Sequence, residues 1–190
     1  METTNAQTTA APRGAAVVYR IDPTHASAQF KVRHLMVANV RGELGEVSGE
    51  AHIDPSDLSR SSVEARVDTT ALSTRNTDRD AHLKSADFLD VGNHPSLAFR
   101  STAVRPLALD RLEVKGELTI RGLTRPVTLA VELTDEVRDP WGNAKRGATA
   151  TARINRKDFG LTWNAAMEGG GLVVGELVEV TIEAELLRQA

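Results

Sequence analysis

From Val17 onward, apolar and polar residues alternate with a period of two over most of this chain. Val17–Ile21 reads as a short strand stopped by Asp22-Pro23. From Ala26 to His34 the positions Ala28, Phe30, Val32 and His34 share one face, and Gln29, Lys31 and Arg33 the other, as in a half-buried strand. Leu35 to Asn39 reads as a connection. The alternation returns at Val47, Gly49, Ala51 and Ile53, then at Val63, Ala65, Val67 and Thr69, and again at Leu97, Phe99, Ser101 and Ala103. Further runs are Leu112 to Ile120, Val127 to Leu133, an alanine- and threonine-rich stretch from Gly147 to Asn155, and Val178 to Leu186. Turn residues at Asp54-Pro55-Ser56-Asp57, Arg121-Gly122 and Asp139–Asn143 separate them. The count is eight or nine antiparallel strands, each with one apolar face. An open sheet of that size would expose its apolar side, and closure into a barrel hides it and removes the edges. The pattern predicts an all-β barrel, with a β-sandwich as the alternative.

One passage breaks the period. Ser73 to Asp90 is helix-patterned, with Thr77 placed to cap and Asp80 placed to reach back to it. Asp78 and Asp80 fall in the first turn, where the helix dipole favours acids. Ala81, Leu83, Ala86, Phe88 and Leu89 are the apolar groups the passage can bury. In a β protein such an insertion serves as a lid or plug, or merely covers a sheet edge. The expected inner face of the barrel mixes bulky residues with very small ones: Ala28, Gly49, Ala51, Ala65, Ala103 and Gly116. Eight strands enclose a bore that side chains can fill or that holds one slender ligand. Small inward residues favour the ligand, and large-against-small interdigitation is the alternative.

Composition narrows the function. The chain has 190 residues, enough for one domain with a sizeable core. A net charge of -3 and a pI near 6.0 give no basic footprint for nucleic acid. The absence of cysteine excludes disulfides, thiolate zinc sites and iron–sulfur clusters. No stretch is long and apolar enough to form a membrane-spanning helix. Residues 1–16 are small and polar, and are expected to be a disordered tail rather than a secretory signal; residues 17–190 are expected to form the single barrel domain.

Chemistry is sparse. The five histidines include no HxxxH or HExxH pair, although a barrel mouth would be able to gather His25, His34 and His82. No nucleophile elbow or phosphate loop is present, and Gly169-Gly170-Gly171 lacks the lysine that would make it one. The densest polar cluster, Arg79-Asp80-Ala81-His82-Leu83, is either local pairing and capping or an orienting site for a ligand headgroup. Arg153, Asn155 and Arg156 raise the same question, since an arginine fork suits an anionic or carbonyl headgroup.

Several short motifs occur in a fixed order: Ile21-Asp22-Pro23-x-His25, Phe30-x-Val32-x-His34, Arg79-Asp80-x-His82-Leu83, Phe88-Leu89-Asp90, Pro95-x-x-x-Phe99-x-Ser101, the run from Gly116 to Val127, and Asn155-Arg156-x-Asp158-Phe159-Gly160. Together they resemble the YceI-like lipid/polyisoprenoid-binding family from about Tyr19 to Leu187. The resemblance implies a lipocalin-like eight-stranded antiparallel β-barrel with one short helical insertion. It implies an apolar pore that binds, carries or sequesters a long-chain isoprenoid or other amphiphilic lipid, and no catalysis. The expected ligand-contacting residues are Phe30, Val32, His34, Val47, Val63, Ala65, Val67, Arg79, His82, Leu83, Phe88, Phe99, Leu118, Leu129, Phe159 and Trp163. No catalytic residue, metal ligand or cofactor is expected. Many relatives are periplasmic; this chain, with its glycine-rich loop and Trp163-Asn164, resembles the leaderless members and is expected to be cytoplasmic. A homodimer is expected from the resemblance alone. Two alternatives remain: an enzyme acting on a prenyl lipid through His34, His82 or Arg79, and a filled barrel serving as an interaction module.

Overall fold

The computed structural model describes residues 16–166 and 170–190. Residues 1–15 of the tail expected over 1–16, and Gly169 of the glycine run, lie outside the described residues. The strands are β1 Val17–His34, β2 Ala38–Glu43, β3 Glu46–Ile53, β4 Ser62–Asp68, β5 Ser96–Pro106, β6 Arg111–Ile120, β7 Leu123–Leu133, β8 Val137–Arg138, β9 Ala144–Asn155 and β10 Val174–Arg188, with one α-helix, α1 Thr77–Lys84, between β4 and β5. Neighbours pair antiparallel in the order β1-β3-β4-β5-β6-β7-β9-β10, and β10 pairs back onto β1. The result is a closed eight-stranded barrel. β2 and β3 act as one stave, β2 on the second half of β1 and β3 on the first.

The alternation accounts for most of the inward side chains. Phe30, Val47, Ala51, Val67, Leu97, Leu112, Val114 and Ile120 are all buried. Four departures have local causes. First, Asp22-Pro23 does not end a strand. β1 continues through it as a bulge, its pairing to β10 jumping from Ile21↔Leu186 to Ala26↔Ala184, and a bulge is where a strand tolerates proline. Second, the connection Leu35–Asn39 takes the form of a tight hairpin that leads into a further strand. Leu35 and Met36 both take left-handed backbone (φ 50 and 60), Val37 N–H donates to His34 O at 3.1 Å, and β2 begins at Ala38. Third, a bulge between Ser101 and Ala103 turns Ala103 outward and buries Val104 in its place. Fourth, the cap of α1 is Asn76, whose side chain accepts from Arg79 N–H, and not Thr77. Asp80 does reach back, but to Thr74, accepting from its N–H at 2.7 Å and its hydroxyl at 2.5 Å.

Two small inward positions serve close packing and not open space. A Cβ at Gly116 would stand 2.4 Å from the Phe99 ring, and one at Gly42 would stand 2.6 Å from the ring of Phe30. Each aromatic lies over a glycine on the neighbouring stave, so its ring spreads along the wall instead of projecting straight across the bore. The outer face carries cross-strand ion pairs, among them Arg100–Glu64 and Arg153–Glu179.

Candidate binding cavity

The barrel is not filled. Two adjoining chambers run along its axis, with cavity volumes of about 160 and 170 Å3, which together reach the lower end of the ~300–1,000 Å3 usual for ligand pockets. We call the chamber beside α1 the upper one and the other the lower. Ala65, Phe99, Leu118, Ile154, Val180 and Ile182 line both and form the waist between them. β10 contributes to the walls from Val174 to Leu186. At ~3.3 Å per residue and the usual barrel tilt, that is a bore about 30 Å long.

The upper chamber is lined by Phe30 and Val32 of β1, Leu44 after β2, Val67 of β4 and Leu97 of β5. Its far end is closed by Leu72, Leu83, Phe88 and Leu89 from the segment between β4 and β5, and by Leu161 and Val174. The lower chamber is lined by Val47, Val63, Val104, Val114, Leu129 and Val131, and its end by Ile21, Ile53, Leu58, Leu112, Leu133 and Leu186. Apart from Arg156 above and Ser61 and Ser62 below, the described lining residues are apolar.

Eleven of the sixteen residues expected from the sequence lie on these walls: Phe30, Val32, Val47, Val63, Ala65, Val67, Leu83, Phe88, Phe99, Leu118 and Leu129. Five do not, and each has a physical reason. His34 is the last residue of β1, at the hairpin end and beyond the chamber. Arg79 turns away from the bore to clasp Thr74, its Nε donating to the Thr74 hydroxyl at 2.7 Å and a terminal nitrogen to the Thr74 carbonyl at 3.0 Å. With Asp80 holding the same threonine from the other side, the Arg79-Asp80 pair fastens α1 to the chain before it. The Thr74 bonds also hold the Asp80 carboxyl below its usual 3.8. His82 makes edge contacts with Phe88 (5.0 Å between ring centres) and Trp163 (4.6 Å), and its Nε2 lies 3.0 Å from an Asp87 oxygen. Trp163 lies behind Phe88, tilted against it at 5.4 Å between ring centres, without reaching the chamber. Phe159 is buried in the core, in the 3-10 segment Arg156–Phe159, and also lies off the wall. The motif from Arg79 to Leu83 is thus split: a clamp at 79 and 80, an aromatic brace at 82, and chamber wall at Leu83 alone.

His25, His34 and His82 do not converge. His25 sits in the β1 bulge, nine residues along the same strand from His34, or roughly 30 Å. Its ring nitrogen lies 2.9 Å from Asp22 and 3.9 Å from Glu185. Hydrogen bonds from His25 and Thr24 pull the Asp22 carboxyl down to about 2. These three side chains come close enough to share a cation, but Glu185 is already paired with Lys145 at 2.6 Å, and the cluster is far from the upper chamber. Sequence reading placed no weight on Leu44, Leu58, Leu72 or Leu161, which lie in turns or just outside the clear runs, nor on Ile154 within the Gly147–Asn155 run. It also left Val178, Val180 and Ile182 out of the site although their alternation was evident.

A family-wide sequence profile described as YceI-like domain matches residues 19–186. The chain belongs to the YceI-like family. A UPF0312 protein of Vibrio cholerae is 39% identical to this YceI-like chain over 137 residues, 72% of each. Two solved structures share the fold. BcnA of Burkholderia cenocepacia superposes with a TM-score of 0.74 at 17% identity, covering 87% of this chain and 98% of that one. A polyisoprenoid binding domain from Saccharophagus degradans, implicated in plant cell wall breakdown, gives 0.64 at 13% identity, covering 90% and 98%.

Proposed function

We propose that this YceI-like barrel binds and carries a long-chain isoprenoid or similar amphiphilic lipid within its two chambers. The observation that carries the reading is the bore itself: continuous in its lining, about 30 Å long, and almost wholly apolar. Burying twenty tail carbons at ~0.8 kcal/mol each gains about 16 kcal/mol gross. Immobilising ligand and wall offsets much of this, and the remainder suffices for tight binding. The polyisoprenoid binding domain of Saccharophagus degradans, with the same fold, supports a prenyl chain as the class. The open chambers weigh against a filled barrel acting only as an interaction module. His34, His82 and Arg79, the groups an enzyme would use, all lie off the chamber walls, which weighs against turnover of a bound lipid.

Organic extraction of the purified protein, followed by mass spectrometry, tests the reading. The expected result is a long-chain lipid in near-stoichiometric amount, or stoichiometric uptake of an added prenyl alcohol by stripped protein. A protein that is empty as isolated and takes up neither prenyl nor acyl chains would overturn it.

A further inference from the structure

Among the described residues, the upper chamber has one charged group in its wall. Arg156 follows β9 directly, is 3% exposed, and lines the chamber near Ile154, Leu161 and Val174. The cationic neighbours on the same segment point outward: Arg153 pairs with Glu179 at 2.9 Å, and Lys157 pairs with Glu176. Arg156 instead meets three main-chain carbonyls. Its Nε donates to Gly175 O at 2.9 Å, one terminal nitrogen to Leu161 O, and the other to Val174 O at 3.4 Å. A guanidinium has five N–H bonds, so two are uncommitted among the described residues. No described carboxylate forms an ion pair with it, since the nearby Glu176 is taken by Lys157. Burial pulls its proton affinity below the usual guanidinium range.

Stapling the loop before β10 does not by itself explain the cation. Asn164 already holds Val174 in both directions, accepting from its N–H at 3.0 Å and donating to its carbonyl at 2.7 Å. A buried charge hydrogen-bonded among the described residues only to neutral oxygens, with Glu176 acting on it from beyond bonding distance, is expensive, and an oxygen from a ligand would offset that cost. We propose that Arg156 is the polar anchor of the upper chamber, taking a carbonyl or carboxylate oxygen at the head of the bound chain. The tail then runs past Phe99 into the lower chamber. This deepens the lipid reading and rests on it. It fixes the polarity of the ligand, head beside α1 and tail below, and selects chains with an oxygen-acceptor head over those with a cationic one.

The test uses the stripped full chain with two probes of equal length, hexadecanoic acid and hexadecylamine. The acid is expected to bind at least about tenfold more tightly, as a charge-assisted pair would make it. In Arg156→Met the ratio falls to about one. Because the ratio is taken within one protein, a general loosening of the fold lowers both affinities alike and leaves it unchanged. Equal binding of the two probes by the wild type, or a ratio retained in Arg156→Met, overturns the anchor and leaves the lipid reading standing. Uptake of neither probe, nor of a prenyl alcohol, overturns both. Should Arg156→Met fail to fold, carboxyl-labelled hexadecanoic acid bound to the wild type decides by its titration in the carbon NMR spectrum. Beside the guanidinium the carboxyl titrates below its ordinary range, supporting the anchor. Elsewhere in the apolar bore it titrates above that range, and at the surface within it, and either result overturns the anchor.

Discussion

The two chambers share a waist and a chemistry, yet they are closed in different ways. The lower end is made of strand residues packed on one another, with Leu58 of the Leu58–Arg60 turn as the main outside contribution. The upper end is roofed by an excursion from Thr69 to Pro95 and by the segment after β9. No residue of α1 itself is buried. Besides its buried Leu72, Phe88 and Leu89 and the backbone bridge between Ser73 and Glu43, this roof is held by side-chain contacts: the Arg79 and Asp80 clasp on Thr74, Arg121 donating to Phe88 O at 3.3 Å, and the rings of His82, Phe88 and Trp163. A typical hydrogen bond of this kind contributes ~1 kcal/mol net. The lower closure cannot open without breaking ladder pairs, whereas the upper one can open with the ladder intact. Low-stability segments of that sort are where ligand passage is accommodated.

The sharpest way to break the contrast is Phe88→Ala. Phe88 is 5% exposed and serves both the wall and the aromatic group. Its truncation is expected to cost about 3–5 kcal/mol, read by denaturant unfolding. A loss under about 1 kcal/mol would show that the roof is not packed as described.

Ala65→Trp attacks the waist instead. Overpacking there is expected to cost about 1–3 kcal/mol and to abolish uptake of chains long enough to need both chambers, while shorter chains still enter. Glu64→Trp, one residue away on the outer face, should change stability by no more than about 0.5 kcal/mol and leave uptake alone. Equal loss of binding in both variants would refute the register.

Asp80→Ala is expected to cost about 1–2 kcal/mol, since it strands the Thr74 donors. It should speed hydrogen exchange in Ser73–Asp90 without affecting β5 to β7. Acid acts in the same direction. The folded-state pKa of Asp80 is depressed, so its contribution is full above the unfolded value near 3.8. That contribution drains away as pH falls through the lower folded value. Exchange in the insertion should therefore quicken between those two values before the barrel unfolds. Uniform loosening of the whole chain would count against a separately held roof. At the lower end, Leu58→Ala is expected to cost about 1 kcal/mol because Leu58 is only half-buried, with no change in exchange at the upper end.

The contrast also explains what the sequence revealed. Barrel and wall were legible because each stave alternates and every second residue meets the same bore. The reading failed where one residue upset the period, as at the bulge that exchanges Ala103 for Val104. It also failed where a glycine held an inner place, as Gly42 does under Phe30, which hid β2. The roof was harder to read because its bonds join residues outside any period: Asp80 looks like half of a capping box, but its partner is Thr74 in the preceding loop. Arg156 carried a faint signal. Of three nearby cations, Arg153, Arg156 and Lys157, only two have acids on β10 to meet, and geometry had to show which one turned inward.

The closing pair of staves has a consequence for how the protein is made. Among the described residues β1 is the first strand and β10 the last, and Tyr19 pairs with Arg188. Such a distant pairing gives the fold a high contact order, and the loop entropy must be met before the pairing rewards it. During synthesis β1 waits with an exposed edge until β10 leaves the ribosome. Neither chamber has a complete wall before that moment. A nascent chain therefore has nothing in which to hold a guest until β10 has paired with β1, and any cargo is acquired only after that pairing.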